Sequence, residues 1–509
     1  MTDTLQPYPE YKDSGQTWLG PVPRHWNVLP AFGAYVPILE KNKGHRENTV
    51  LSLSYGRIVI KPPEKLHGLV PESFETYQIV NPGDIIIRTT DLQNDHTSLR
   101  IGMVRNRGII TSAYLALRPK QGVSAEYAYQ FLNVWDQSKA IYEYGSGLRQ
   151  NLDFSHFKRM PVAIPPPDEQ AAIVRFLDHA HGRIDRAIRA KRKIITLLNE
   201  QKQAIIASLV TGKCEVGRVK SEEGREKGED GSDLSLFTPR PSHLMKPSGI
   251  PWLGDIPQHW STLQLRRVVS FVTSGSRGWA NYYSDTGLIF IQSGNLGRTM
   301  ALNLSFIQHV RPPDGAEGER TRIQAHDVLV CITGALTGNV ALVDHELHAP
   351  AFVNQHVALI RPKRDMIQPR LLAYVLHSEI GRTQFKNNEY GGTKQGLGLG
   401  DVKSVFLPVP TLKEQSEICT YLDEEVKQFT AAITNLEREI ALLREYRTRL
   451  TADVVTGKLD VRREKSEEGR VKSEEGRVKG EERRVKGEGE WEKEDEAEAM
   501  ETEEGGEDE

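Results

Sequence analysis

The nine residues Trp18–Trp26, WLGPVPRHW, return at Trp252–Trp260 as WLGDIPQHW, 234 residues further on. Other matches follow in the same order. Gly83-Asp-Ile-Ile-Ile-Arg88 and Leu117-Arg-Pro119 pair with His326-Asp-Val-Leu-Val-Cys331 and Ile360-Arg-Pro362 at an offset of 243. Gly147–Leu152 with Gly392–Leu397, Glu169–Ile173 with Glu414–Ile418, and Val210–Lys213 with Val455–Lys458 all lie 245 apart. An offset that drifts through one stretch and then holds constant marks two copies of one unit, variable at first and fixed in length afterwards. A chain of 509 residues is in any case too long for one ordinary core, so two like bodies are expected.

The fixed part, Glu169–Val210 and Glu414–Val455, contains no proline and spaces its apolar residues by alternate fours and threes. In the first copy the stripe is Leu177, Ile184, Ile188, Ile195, Leu198, Ile205 and Leu209, interrupted by His181, Lys191 and Lys202. The second reads Leu422, Val426, Phe429, Ile433, Leu436, Ile440, Leu443, Leu450 and Val454, interrupted by Arg447. A heptad seam of this length predicts a coiled coil, and each helix begins after a Pro-rich strand end and stops at Thr-Gly-Lys, where Gly212 and Gly457 suit a C-terminal cap. A long helix lying on a globular domain is the competing reading. Equal length in both copies favours two rods that bury their seams against each other. Because the stretch from Cys214 to Trp252 and a whole domain separate the two rods, the pairing is expected to be antiparallel, with a pseudo-two-fold axis and the variable parts at opposite ends.

The variable parts, residues 1–165 and 246–410, read as mixed α/β (α+β) domains. Short β-branched runs at Asp84–Ile87, Ile109-Ile110, Val328–Ile332 and Phe352–Ile360 alternate with Gly/Asn/Asp turns, and an amphipathic helix follows near Ala125–Tyr142 or Pro369–Lys386. Outside the shared motifs the two sequences diverge, which is the pattern of paired recognition modules. The tryptophans at 18, 26, 252 and 260 are expected as core anchors around a tight turn, with base stacking as the alternative.

Several chemistries are excluded. Thr211-Gly-Lys213 and Thr456-Gly-Lys458 lack the upstream glycine and the following Ser/Thr of a phosphate loop, and no Asn- or Asp-Pro-Pro-Tyr motif or glycine-rich cofactor loop is present. Pro313-Asp-Gly-Ala-Glu317 resembles a nuclease carboxylate pair weakly, but Arg320 stands where a lysine belongs and Pro312–Glu319 reads as a turn-rich loop. His179 and His181, two apart on a helix, face different ways and cannot share a metal. Cys214, Cys331 and Cys419 are too widely spaced for a disulfide framework, and no apolar run approaches a membrane span, so a cytoplasmic protein with no membrane partner is expected. The formal charge of −3 hides an acidic tail: residues 461–509 carry 11 Lys+Arg against 20 Asp+Glu, and the first 460 residues are then +6. That balance permits nucleic acid without demanding it.

The order W-L-G-x-[VI]-P-x-H-W, a [GH]-D-[IV] strand, then P-x-x-x-E-Q-x-x-I leading into a coiled-coil helix, present twice over residues 15–460, is similar to the specificity subunit of type I restriction-modification systems. The first copy departs from it in lacking the glycine that the second keeps at Gly334. The resemblance implies a target-recognition domain at 1–165, a helix at 166–213, a linker at 214–245, a second recognition domain at 246–410, a second helix at 411–459 and a charged tail at 460–509. It further implies that each domain reads half of a bipartite site on double-stranded DNA, while the helices fix the spacing and dock two methyltransferase subunits. The chain itself would hold no metal and no cofactor and would be non-catalytic. Adenine N6 methylation with S-adenosylmethionine, and cleavage by restriction subunits with ATP and Mg2+, would reside in the partners. A protein-binding adaptor and a self-sufficient DNA-modifying enzyme are the competing classes.

Duplex reading needs cations for phosphates and Arg, Lys, Asn, Gln or short hydroxyls for base edges. The matched candidates are Arg149-Gln150 and Lys394-Gln395 in Gly-rich loops. The first domain adds Arg88, Thr90, Asn94, His96 and Arg100, and the second adds Ser274, Ser276, Arg277, Gln292, Asn295, Thr337 and Asn339. For each, an ordinary solvated loop side chain is the competing reading. Val219–Arg225 recurs as Val471–Arg477, with a variant at Glu464–Arg470; such apolar-poor repeats are expected to be disordered, and the acidic run Glu490–Glu509 is expected to be an inert solvated tail.

Overall fold

The structure, a computed structural model, describes residues 5–62, 73–90, 99–144, 152–214, 216, 244–275, 278–297, 299–311, 316–388 and 396–462. The charged repeats of the linker and tail fall outside the described residues. The chain divides into two compact units, Met1–Ile188 with Ala441–Glu509, and Arg189–Ile440.

Each unit is built on the same four-stranded antiparallel sheet. In the first unit the order is Tyr35–Pro37, Leu115–Pro119, Ile85–Ile87, Ile101–Met103; in the second it is Val269–Ser274, Val357–Pro362, Val328–Cys331, Val340–Leu342. The central register is also shared, Ile85 facing Leu117 and Val328 facing Ile360. The Gly/His-Asp motif thus enters the middle of a sheet. Its Asp is almost fully buried and is matched by the Arg of the Leu/Ile-Arg-Pro motif on the neighbouring strand. Arg118 Nε and Nη2 donate to Asp84 at 2.8 and 2.9 Å, and Arg361 Nε and Nη2 to Asp327 at 2.8 Å each. A buried carboxylate without such a partner would be costly, so the two motifs recur together. The residue before each Asp turns through left-handed backbone. Gly83 does so without penalty at φ 90°, whereas His326 adopts φ 73° despite its Cβ.

The run Phe352–Ile360 is two strands, Ala351–Val353 and Val357–Pro362, broken by the polar residues Asn354-Gln355-His356. The two amphipathic helices also break, at Ser138 after Ala125–Gln137 and at Ser378 between Pro369–His377 and Glu379–Asn388. Residues from Ala316 of the segment expected as a loop form a short helix to Thr321.

The long helices run Pro167–Val210 and Leu412–Val455, 44 residues each. Within the first unit they pair antiparallel. His181 Nε2 meets Thr451 Oγ1 at 2.8 Å, and one turn on, Asp185 accepts from Arg447 Nη1 at 2.8 Å. Burial, and then Arg447, hold the His181 pKa below its ordinary value. Within the second unit Lys191 is ion-paired with Glu439, and Ile206, Leu209 and Val210 share a core with Ile418, Cys419 and Leu422. Of the expected seam residues, Leu177, Ile184, Ile188, Leu422, Ile440 and Leu450 are buried, and Ile195, Leu198, Ile205, Phe429, Ile433, Leu436 and Leu443 are half-buried.

The repeated motifs meet at the helix ends. Glu169, 4 % exposed, accepts from Trp26 Nε1 at 2.9 Å, is 2.8 Å from His25 Nε2, and also bonds the Tyr8 hydroxyl. Glu414 repeats the arrangement with His259 at 2.7 Å and Trp260 at 3.2 Å. The adjacent Gln170 accepts from Ser124 N at 2.8 Å and donates to the Gly122 and Pro165 carbonyls; Gln415 does the same with Gln368, Met366 and Pro410. At the other end, the left-handed Gly457 (φ 77°) closes the second helix against Pro23 and Trp26, and Gly212 (φ 68°) closes the first against Pro257 and Trp260. Each entry tryptophan therefore touches the start of its own copy's helix and the end of the other's. Trp26 and Trp260 are buried as anchors, and Trp18 packs on Phe131. Trp252 departs from the expectation at 38 % exposed.

Candidate nucleic-acid interface

In both units the loop that follows the Asp strand and the Gly-rich loop are joined at their base by one backbone hydrogen bond. Leu152 N donates to Thr89 O at 2.9 Å, and Leu397 N to Ile332 O at 2.8 Å. Candidate segments about sixty residues apart in sequence are thus brought together twice at equivalent positions. Arg149, Gln150, Lys394 and Gln395 themselves lie outside the described residues, as do Asn94, His96, Ser276 and Arg277.

The described candidates divide by what they touch. Arg88 is exposed and Thr90 half-buried. Arg100 is 4 % exposed and Nη1 donates to the carbonyls of Arg88 (3.2 Å) and Thr90 (2.7 Å), so its cation holds the backbone that leaves the Asp strand. In the second unit Ser274 is half-buried at the end of its strand. Thr337 Oγ1 donates to Gly334 O at 2.7 Å inside a turn whose Gly334 has φ 89°. Asn339 Nδ2 donates to Leu296 O at 2.9 Å. Asn295, 7 % exposed, donates to the carbonyls of Asn303 and Phe306 at 2.8 and 2.9 Å. Gln292 is half-buried and donates to the Tyr283 hydroxyl at 2.9 Å. Arg100, Asn295 and Asn339 spend donors on backbone carbonyls of the loops; Arg88 and Gln292 present side chains outward or sideways.

Residues not singled out from the sequence complete the second site. His356 accepts from Ile332 N through its carbonyl at 2.9 Å, its ring bonds the Thr333 hydroxyl, and Gln355 Nε2 lies 3.0 Å from its Nε2. Three consecutive polar residues inside an otherwise apolar run were the available signal. The first unit has a simpler counterpart, Thr89 Oγ1 to Ala113 O at 3.3 Å. Among the described residues no group of three or more His, Cys, Asp or Glu is placed to hold a metal ion, and no helix is long and apolar enough to cross a membrane.

The profile of the type I restriction modification DNA specificity domain matches residues 38–198 and 316–442, more than half of the chain and one stretch in each duplicated copy. The chain belongs to this family. As a specificity-domain protein it is 23% identical over 305 residues to the type I restriction enzyme EcoBI specificity subunit of Escherichia coli, covering 57% of this chain and 58% of that one. It is 23% identical over 212 residues to the StySPI specificity subunit of Salmonella potsdam, covering 40% and 44%. The chain thus spans 58% and 44% of the length of these relatives. A solved chain from work on complex assembly and conformational transition of the type I R-M system shares the fold, with a TM-score of 0.60 at 16% identity over 85% of this chain and 98% of that one.

Proposed function

We propose that this specificity-domain protein is the DNA-recognition and scaffold subunit of a type I restriction-modification complex. The observation that carries the reading is one frame with two different edges. The Asp–Arg pair, the Glu–His–Trp latch and the bond joining the two loops are repeated in both units. The residues of the loop after the Asp strand are not, and the Gly-rich loop keeps only its first Gly, a cation followed by Gln, and its closing Leu. A scaffold held constant beneath divergent polar loops suits two readers of different half-sites.

In this reading each unit contacts one half of a bipartite duplex site. The paired helices, on the order of 65 Å each at about 1.5 Å per residue, set the spacing and dock two methyltransferase subunits, with restriction subunits joining them. The subunit itself carries no cofactor and no catalytic residue. Methylation of adenine N6 with S-adenosylmethionine and cleavage with ATP and Mg2+ belong to the partners.

The test is selection from a random duplex pool by the full chain, alone and with a co-expressed methyltransferase subunit. A two-part motif is expected. Alanine at Arg149, Gln150, Lys394 and Gln395 together is expected to weaken binding to all sequences and to flatten its salt dependence. Unchanged affinity and motif in that variant would remove the loops from the interface, and wild-type protein that enriches no motif would sink the proposal itself.

A further inference from the structure

The second unit carries another four-stranded sheet, Tyr283–Ser284, Gln308–Val310, Leu288–Ile291 and Ala351–Val353, one face of which is aromatic. Trp279 stacks on Phe290 with ring centroids 5.4 Å apart, and Phe352 and Tyr283 pack against the same pair. These rings are buried except at the rim, where Tyr283 is 44 % and Phe306 is 87 % exposed. The register pairs Leu288 with Val310 and Phe290 with Gln308. Gln292 and Phe306 lie just beyond the ends of these two strands.

Gln292 is held from both ends. Its backbone N donates to Asn295 Oδ1 at 2.8 Å and its carbonyl accepts from Asn295 N at 3.0 Å. The same buried asparagine donates to the Phe306 carbonyl, so one side chain fixes the backbone of both rim residues. The Gln292 amide is then anchored by the Tyr283 hydroxyl at 2.9 Å. A glutamine on an ordinary solvated loop has three free side-chain torsions and no such support. Pre-ordering of this kind removes the entropy that a reading residue would otherwise lose on binding.

We propose that Gln292 reads an adenine in the half-site of the second unit, with Tyr283 as its positioning residue and Phe306 as an apolar contact to the neighbouring base pair. The proposal rests on the half-site reading above. With one N–H tied to Tyr283, the amide keeps Oε1 as acceptor and a second N–H as donor. That pair matches adenine N6 and N7 in the major groove, whereas guanine offers two acceptors there and cytosine a donor without that acceptor. A large apolar ring left in water beside a reading amide suits contact with a thymine methyl or an opened base step. The charge at the edges favours nucleic acid as the occupant. Arg311, next to the Tyr282–Tyr283 edge, is exposed, and Arg322, bridged to Phe352, is 47 % exposed and 3.8 Å from Glu319 Oε1.

The experiment repeats the pool selection with the full chain and its co-expressed methyltransferase subunit, using Gln292→Ala, Gln292→Glu, Tyr283→Phe and Phe306→Ala, each checked for an unchanged thermal transition. Gln292→Ala is expected to lose discrimination at a single adenine by roughly 5- to 150-fold, leaving the other half of the motif intact. Gln292→Glu is expected to shift that position toward cytosine. Tyr283→Phe should weaken preference at the same position without changing affinity for random duplex, and Phe306→Ala should lower affinity for the selected motif. A wild-type motif that survives unchanged in Gln292→Ala overturns the assignment while leaving the half-site reading standing. Loss of methyltransferase association in Phe306→Ala with DNA affinity unchanged overturns it too, making the aromatic edge a protein contact. A wild-type protein that enriches no motif overturns both.

Discussion

Glu414 receives hydrogen bonds from Thr411, His259 and Trp260 at the first turn of its helix. Burial raises its pKa, but those bonds outweigh it and hold the carboxyl at about 2, below the ordinary 4.5. A folded-state pKa below the unfolded one contributes stability that is complete above about pH 5 and is lost as pH falls toward 2. Glu414→Gln is therefore expected to lower stability by about 1–3 kcal/mol at pH 7, with the gap to wild type narrowing steadily below pH 5. Denaturant melts across that range read it, and a gap independent of pH would contradict the assignment. The same residue shows what a sequence can and cannot reveal. The Glu-Gln pair was legible as a repeat, but its partners lie 144 and 155 residues away in the two copies, a pairing no local pattern encodes. At the candidate site, loop membership was legible and role was not. Arg100, Asn295 and Asn339 have the donors that read bases, yet they satisfy loop carbonyls, because burial decides which acceptor a donor meets.

At the scale of elements, the long helices were the most legible feature, since a 4,3 stripe over five heptads has few other uses. Their ends were less so. Gly212 and Gly457 were readable as caps, and their tertiary constraint was not: a Cβ on Gly212 would lie 2.5 Å from Pro257 Cδ and 3.0 Å from the Trp260 ring, and on Gly457 2.4 Å from Pro23 Cδ and 3.0 Å from the Trp26 ring. Both glycines also sit in left-handed backbone. Gly212→Ala and Gly457→Ala are each expected to cost about 1–3 kcal/mol, from the left-handed strain and the overpacking against proline. Calorimetry on the two single variants measures this. Substitutions tolerated without a fall in Tm would mean that the helix ends do not bear on the entry motifs. Most of the aromatic sheet of the second unit was illegible for a different reason: its strands are two to four residues long and, apart from Ala351–Val353 at the start of the Phe352–Ile360 run, neither periodicity nor repetition marked them.

At the scale of the molecule, each unit takes its core from both copies. Leu450, Val454 and Val455 of the second helix are buried with Trp26, Tyr127 and Leu177 in the first unit, and Tyr127 reaches the Val455 carbonyl at 3.4 Å. Ile206, Leu209 and Val210 of the first helix are buried with Trp260 and Leu422 in the second. Neither copy, cut out along the duplication, contains its own complete core. A fragment of residues 1–216 would expose the seam from Leu177 to Ile205 and leave Trp26 without the glycine turn that covers it, and residues 244–509 would expose the complementary seam. Each alone is expected to aggregate or to pair with a second copy of itself, because the seam of one copy can substitute for the other. Co-expressed, they are expected to recover a 1:1 complex with the thermal transition of the intact chain, less the entropic advantage of the missing connection. Light scattering and co-purification decide the matter. Two fragments that stay folded, monomeric and indifferent to each other would mean that the shared cores contribute little, and that the duplication makes two separable domains.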